Sequence, residues 1–500
     1  MTIALVSLLL PALSIPQDPT RLASTATNGL AIATYHRLAA ATPEDNLFLS
    51  PWSIATALAM TAEGARAETA AEMRAVLHVP EGSLADLHAS SAALQKSLTT
   101  GRGEVAATTR AKIASLRAEL ATHDAEAASL AQASKYREAR DAHDRAAAIA
   151  RELNALLANA DCYELTAANA LWCDNRSQLL PTFLASLDRH YGTGGANLVD
   201  FRGNPEGART TINGWVADRT ERRITDLIPA GCLTSDTRLV LTNAVWFRGE
   251  WKDPFDADRT QDAVFTGPRG QTTTVRLMHD GWRAGVPYAA FTGTGEYFET
   301  PVKVPADGSV KVPTYPGDDG FQVVELPYKG GELAMVVLLP RRHDGLGGLE
   351  GLLTAERLPT WLAKLERRDV DTALPRWRQR RDIRLRETLS TLGMARAFVA
   401  PSVGGGAQFE GIDGATDPAQ KLFLGDVVHQ AFVEVTEKGT EAAAATAVLM
   451  APGAAVPPRV EMVPFTPVFR ADRPFVYLIR DTRSGAILFV GRVLDPKQGS

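Results

Sequence analysis

The chain is predicted to fold as one large α+β domain, and three observations carry that prediction. Hydrophobic residues make up 45% of the 500 residues and charged residues 22%, enough apolar material for a sizeable core inside a soluble globule. Strand-like alternating runs and helix-period runs interleave from about residue 20 onward. No internal repeat and no linker-like stretch divides residues 20–500. A net charge of −5 gives no reason to expect nucleic acid or an anionic membrane as partner.

Met1 to Ser14 is an apolar run of signal-peptide length that ends in Ala-x-Ser. Residues 1–16 are therefore expected to direct export, to an extracellular or periplasmic location. No Lys or Arg precedes the run, so a buried N-terminal extension stays open as the other reading. No later apolar run reaches the roughly 20 residues that span a bilayer, so no membrane partner is expected. From Pro19 to Ala40, Leu22, Ala26, Leu30, Ile32, Ala33 and Leu38 suit an amphipathic helix. Ser50-Pro51 opens a second helix, with serine at the cap and proline in the first helical position. The helical pattern resumes over Ala65 to Leu77.

Residues 104–152 carry eight Lys or Arg and eight Asp or Glu, with Ile113, Leu116 and Leu120 at helical spacing. No Pro or Gly falls between Glu104 and Asp161. A solvated, coiled-coil-like antiparallel helical hairpin is expected over 103–158. Glu164 to Trp172 reads as a strand, Leu180 to Tyr191 as a helix, Asn213 to Val216 as part of another helix, and Arg238 to Phe247 as a buried strand. The chain is β-rich from Phe255 to Leu338, and the Gly/Pro-rich stretch 284–316 is expected to add a surface hairpin. Ala355 to Leu365 is read as helix, Val370 to Trp377 as strand and Leu385 to Leu392 as helix. Val428 to Val435 alternates as a strand with one dry and one wet face.

Cys162, Cys173 and Cys232 have no metal-ligand spacing and make no C-x-x-C pair. In one strand Cys162 and Cys173 would point to opposite faces, so buried thiols are expected and no disulfide framework. The chain contains no G-x-S-x-G, H-E-x-x-H or phosphate-loop pattern, so no enzyme activity, cofactor or metal is expected. His429 shares the apolar face of its strand with Ala431 and Val433, a position that suits a paired core histidine.

After that strand comes Glu437-Lys438-Gly439-Thr440-Glu441-Ala442-Ala443-Ala444-Ala445-Thr446, and then a stretch broken by Pro452, Pro457, Pro458, Pro464 and Pro467. Gly439 allows a sharp change of direction. The Ala run suits either a helical turn or a surface loop. Laid out with a period of two, Thr440, Ala442, Ala444, Thr446 and Val448 fall on one face, and the only charge, Glu441, falls on the other. The stretch could become a central strand without burying a charge.

This segment resembles the hinge of an inhibitory serpin. Further blocks are similar to the same family, in its order: Asn46 to Leu58, Ile212 to Val216, Leu241 to Trp251, Leu392-Gly393-Met394 and Arg473-Pro474-Phe475. The resemblance spans about residues 25–496 and leaves out 103–158 and 284–316. It implies three β-sheets, about nine helices and an exposed reactive loop. It implies no catalytic residues and a monomer that traps a serine protease as a suicide substrate. A non-inhibitory carrier or chaperone, or a cross-class inhibitor of cysteine proteases, is the alternative. Glu437, Gly439, Thr440, Ala442, Ala444 and Thr446 would form the hinge. Ser50, Ser53, Asn243 and His429 would gate the central sheet, with Trp251 and a Glu437–Arg376 pair at its top. Counting from Gly439 puts the reactive bond at Gly453-Ala454, although the stretch to Pro474 is about ten residues longer than usual. Leu449-Met450, Met450-Ala451 and Arg459-Val460 are therefore alternatives. Small apolar residues over 447–455 favour an elastase-like or subtilisin-like protease.

Overall fold

The computed structural model describes residues 18–498 apart from 81, most of 100–162, 193–195, 221, 300–302, 306–318, 402–405 and 441–461. The expected signal peptide 1–16, Cys162, the hinge residues Ala442, Ala444 and Thr446, and Gly453 and Ala454 lie outside the described residues.

Four helices form the N-terminal part: α1 (Arg21–Ala41), α2 (Pro51–Ala62), α3 (Ala67–Val76) and α4 (Leu84–Thr99). Ser50 caps α2 by accepting a hydrogen bond from the Ser53 N–H, and Pro51 takes the first helical position. Every residue of α2 is buried, so it is a core helix and not a surface one. Two more helices, α5 (Pro181–Tyr191) and α6 (Pro205–Arg219), follow later in the chain.

The described strands make three sheets. The sheet that matters for function has six strands: β2 (Tyr163–Asp174), β3 (Asn197–Val199), β4 (Leu239–Glu250), β12 (Trp377–Arg384), β13 (Leu424–Thr436) and β14 (Gly439–Thr440). Their order across the sheet is β12-β13-β14-β4-β2-β3. α6 covers one face: Ala208, Ile212 and Val216 pack with Ala168, Ala170 and Trp172 of β2, Ala244 of β4 and Val428 of β13. The other face packs against a ten-stranded sheet through a core containing Phe247, Val433, Tyr328, Met335, Tyr477 and Phe489. The first half of that larger sheet, in chain order, is β1 (Leu47–Leu49), β5 (Gln261–Thr266), β6 (Thr272–Phe291), β7 (Tyr297–Phe298) and β9 (Phe321–Pro327). Its remaining strands are β10 (Leu333–Pro340), β11 (Glu366–Pro375), β16 (Val468–Arg470), β17 (Phe475–Asp481) and β18 (Ile487–Val493). The third sheet is only β8 (Lys303–Pro305) and β15 (Met462–Pro464).

Three sequence expectations change. Most of β13 is buried on both faces, Gln430 as well as His429: on the side expected to be wet, Val428 joins the cluster under α6 and Gln430 bonds Asp382 of β12, while Glu434 stays half-buried. The strand expected at Val370 to Trp377 is two: β11 ends at Pro375, and β12 starts at Trp377 in the other sheet. Within 284–316, expected to add a surface hairpin, the described residues belong to three different strands. Residues 284–291 complete β6, where Val286, Tyr288, Ala290 and Phe291 are buried. The chain then folds back through Thr292–Glu296 into β7, and 303–305 pairs elsewhere.

The described residues between 112 and 152 are helical on either side of Lys135. Lys112–Glu152 (2.7 Å) and Glu126–Arg145 (3.5 Å) pair them in antiparallel order around buried Leu116, Ala142 and Ala146. Among the described residues no helix is long and apolar enough to cross a membrane.

Candidate strand-insertion site

The site is the seam between β13 and β4. Over most of their length these strands pair directly and in parallel, from Leu424↔Leu239 to Phe432↔Trp246. At the top they part, and the chain leaving β13 turns at Glu437-Lys438 and re-enters between them as β14. There Thr440 lies opposite Val435 on one side and Gly249 on the other, antiparallel to both. Thr440, one of the predicted hinge residues, is thus already inside the sheet.

Two glycines make this entry possible. Gly439 has φ 147°, and a Cβ there would lie 2.0 Å from the Gly249 carbonyl oxygen. A Cβ on Gly249 would lie 2.8 Å from Cδ1 of Tyr328. Thr440 is fully buried, and its hydroxyl shares a 2.8 Å hydrogen bond with the Tyr328 hydroxyl. Trp251 stacks on Tyr328 at 4.7 Å, donates its indole N–H to the Thr436 carbonyl, and bonds Lys438 through its backbone N–H. These aromatics close the top of the seam.

Below β14 the seam is pinned by a polar cluster. His429 stands in register with Asn243. The Ser50 N–H donates to His429 Nε2 at 3.1 Å. Nε2 is therefore the acceptor nitrogen, and Nδ1–H donates to the Asn243 side-chain oxygen. The Asn243 amide donates to Ser53 Oγ and to Asn169 Oδ1, both at 2.7 Å, and the Ser53 hydroxyl donates to Asn169 Oδ1 at 2.8 Å. The Ser50 hydroxyl donates to the Leu488 carbonyl at 2.7 Å. Complete burial pushes the His429 imidazole down to about 3, against a smaller opposing effect of the Asn243 hydrogen bond, so it is neutral at pH 7.

Glu437 is buried at the turn. Its Oε1 accepts from Arg376 Nε at 2.7 Å and from the Thr260 hydroxyl. Burial alone would raise its carboxyl, but the Arg376 and Thr260 hydrogen bonds outweigh that and hold it below the usual glutamate range.

The structure brings Ser50, Ser53, Asn243 and His429 into one cluster, and Glu437, Arg376, Trp251, Gly439 and Thr440 into a second one above it. Sequence reading missed two members. Asn169 was visible only as a lone polar residue in the apolar run of β2, and Tyr328 only as a residue before a Gly-Gly turn. Cys173 is a free, buried thiol and Cys232 is free and half-buried. Among the described residues no group of acidic, His or Cys side chains could hold a metal ion.

The family model for serpins (serine protease inhibitors) matches residues 25–118 and 112–496, and the chain belongs to this family. The family is described as serine protease inhibitors, and its members are not enzymes. The chain is 33% identical over 455 residues to an uncharacterised serpin-like protein of Thermococcus kodakarensis, covering 91% of this chain and 82% of that one. It is 32% identical over 479 residues to the leukocyte elastase inhibitor of Sus scrofa, covering 95% and 99%. Among solved structures it is similar in fold to uncleaved ovalbumin (TM-score 0.67, 22% identity, 95% and 100% covered). The same TM-score and identity hold for human thyroxine-binding globulin bound to its hormone, with 96% and 100% covered.

Proposed function

We propose that this chain is a serine protease inhibitor that acts once, as a suicide substrate, by inserting its cleaved loop between β13 and β4. The observation that carries this reading is the position of β14. Serpin loop insertion is a standard example of strand addition, and the register is what is particular to this chain. Continuing the pairs Thr440↔Val435 and Thr440↔Gly249 downward places Ala442 by Val433 and Phe247, and Ala444 by Ala431 and Val245. Thr446 then arrives between His429 and Asn243, the pair that holds the seam shut. The hydroxyl at 446 supplies both donor and acceptor, so it can satisfy the two groups that insertion separates. Ala443, Ala445 and Ala447 would lie on the opposite face, beside Trp246, Ala244 and Thr242 of β4 by the same register.

Insertion exchanges one parallel ladder for two antiparallel ones, a net gain of about one ladder. At about 1 kcal/mol per net hydrogen bond this is worth on the order of 10 kcal/mol. β4 offers partners down to Leu239, opposite residue 450. A protease acylated at Gly453 would thus be carried about a dozen residues along the sheet, on the order of 40 Å at ~3.4 Å per residue. A misplacement of about 1 Å can slow an active site ~100-fold, so deacylation would stall under the pull.

The small apolar residues over 447–455, together with the elastase inhibitors among the relatives, favour an elastase-like or subtilisin-like serine protease as partner. The same reading takes residues 20–500 as one monomeric domain, exported through residues 1–16. Incubation with pancreatic elastase tests it: a stoichiometric, SDS-resistant complex is expected, and mass spectrometry should find a released fragment starting at Ala454. Cleavage without any complex would overturn the inhibitor reading, and a fragment starting at Val460 would overturn the choice of bond.

A further inference from the structure

α5 joins β2 to β3, the two strands that lie beyond β4 in the six-stranded sheet. A strand entering between β13 and β4 widens that sheet by about 4.8 Å. β4, β2 and β3 then shift as a block, and α5 shifts with them. α4 is tied to the other side. Its Ser90 hydroxyl accepts from the Ala23 N–H of α1 at 2.9 Å, and its Ser97 carbonyl accepts from Arg483, between β17 and β18, at 3.1 Å. Contacts of α4 with β2 and α5 therefore cross the line along which the molecule must give. The Tyr163 hydroxyl of β2 bonds the Leu98 carbonyl across it at 3.3 Å. A larger cluster crosses it nearer the start of α4.

That cluster is titratable. His88 of α4 is buried, with Nδ1 2.6 Å from the Tyr191 hydroxyl at the end of α5 and Nε2 2.9 Å from Glu63 Oε2 at the end of α2. A carboxylate only accepts, so Nε2 carries the proton and the Tyr191 hydroxyl donates to Nδ1 of the neutral ring. The His190 ring stacks on His88 with centroids 5.6 Å apart and planes 28° from parallel. Ser91 of α4 also bonds Tyr191, and Ser186 of α5 bonds Glu63. Of other charged groups, Arg66 acts on Glu63 and Arg189 on His190.

We propose that Glu63, His88, Tyr191 and His190 are an acid-released latch: while both imidazoles are neutral they hold α5 to α2 and α4, and protons gained in the mildly acidic range free it. Glu63 can balance one imidazolium and not two. A proton on His88 Nδ1 also makes that nitrogen a donor, facing a hydroxyl that was donating to it. Two imidazolium rings at 5.6 Å repel, so His190, the more exposed of the two, must swing out. Burial first, and then His88 and Arg189, hold the His190 imidazole below its ordinary 6.5, with Glu63 opposing them. The His88 hydrogen bond leads in holding the Glu63 carboxyl below the usual glutamate range, so Glu63 stays charged through this window. As pH falls below 6.5 the freed side chains bind more protons than the closed latch, and acid favours release.

Hydrogen exchange at the Leu184 to Tyr191 amides of the intact protein tests the latch, after correction for intrinsic rates. Protection there should fall on the order of tenfold between about pH 7.5 and about pH 5.5, while the amides of α1 keep theirs. His190→Gln puts an uncharged polar group in a half-buried place and should keep its protection at the lower pH. Equal protection of the wild type at both pH values overturns the proposal. An equal loss in wild type and His190→Gln overturns it too, because the proton then acts elsewhere. The link to strand insertion rests on the inhibitor reading and has its own readout. In the ratio of wild-type to His190→Gln rates of elastase complex formation, the protease's own pH dependence cancels. That ratio should rise at the lower pH, and a ratio that does not change overturns the link. A protein that traps no protease would sink the inhibitor reading and leave the exchange result standing.

Discussion

Thr440→Arg perturbs a hinge side chain that is already in the sheet. Thr440 is fully buried between Val435 and Gly249, with its hydroxyl on Tyr328. An arginine there has no buried partner, so the uncleaved protein should withdraw β14 and keep its guanidinium in water. The loss is then the Thr440–Tyr328 hydrogen bond and a buried hydroxyl left unpaired, about 1–3 kcal/mol. After cleavage this escape is closed, because residue 440 must re-enter before 442 and 444 can follow. An unpaired buried charge costs on the order of 3–5 kcal/mol. At about 1.4 kcal/mol per factor of ten, insertion should slow by roughly a hundred- to a few-thousand-fold. Deacylation is unchanged and wins the race. On a denaturing gel with elastase, the variant should appear cleaved and uncomplexed. Glu441→Arg is the control: the same register puts residue 441 between half-buried Glu434 and the Arg248 side chain, which is 43% exposed. It should still form the complex. If both variants trap protease equally, the alternation of buried and exposed loop positions is wrong, and the register argument falls with it.

Thr446→Val removes the hydroxyl that arrives between His429 and Asn243. The cleaved, inserted form should lose about 1–3 kcal/mol relative to wild type, read as a smaller rise in Tm on cleavage, while the uncleaved protein is unaffected. His429 links stability to pH. Its folded pKa of about 3 lies below the ordinary 6.5, so between these values the unfolded chain binds more protons and stability falls as pH drops from 6.5 toward 3. At pH 5 the loss is about 2 kcal/mol, and urea titrations of His429→Gln should lack that part of the acid dependence. Replacing residues 104–157 with a short Gly/Ser link should leave protease trapping intact. A folded deletion protein that forms no complex would show that the helical pair takes part in the mechanism.

The sequence by itself determined what depends on near neighbours along the chain. The Ser50-Pro51 helix start, the glycine before Thr440 and the period-two run of small residues after it are local patterns, and each is legible in the residues alone. The identity of the polar cluster was legible only through resemblance, since Asn243 and His429 stand far from Ser50 and Ser53, and from each other, in the chain. The tertiary structure decided everything that rests on which strands become neighbours. It set His429 against Asn243 and added Asn169 and Tyr328. It buried most of the side of β13 that had looked wet, Val428 in the cluster under α6 and Gln430 against Asp382. It put Val286 to Phe291 in a core strand, although the glycines and prolines around them read as surface. It also placed Thr440 inside the sheet ahead of any cleavage, which periodicity could not foresee. A strand's own residues fix which side chains share a face. Its partners and register are fixed by contacts hundreds of residues away, and no local pattern encodes those.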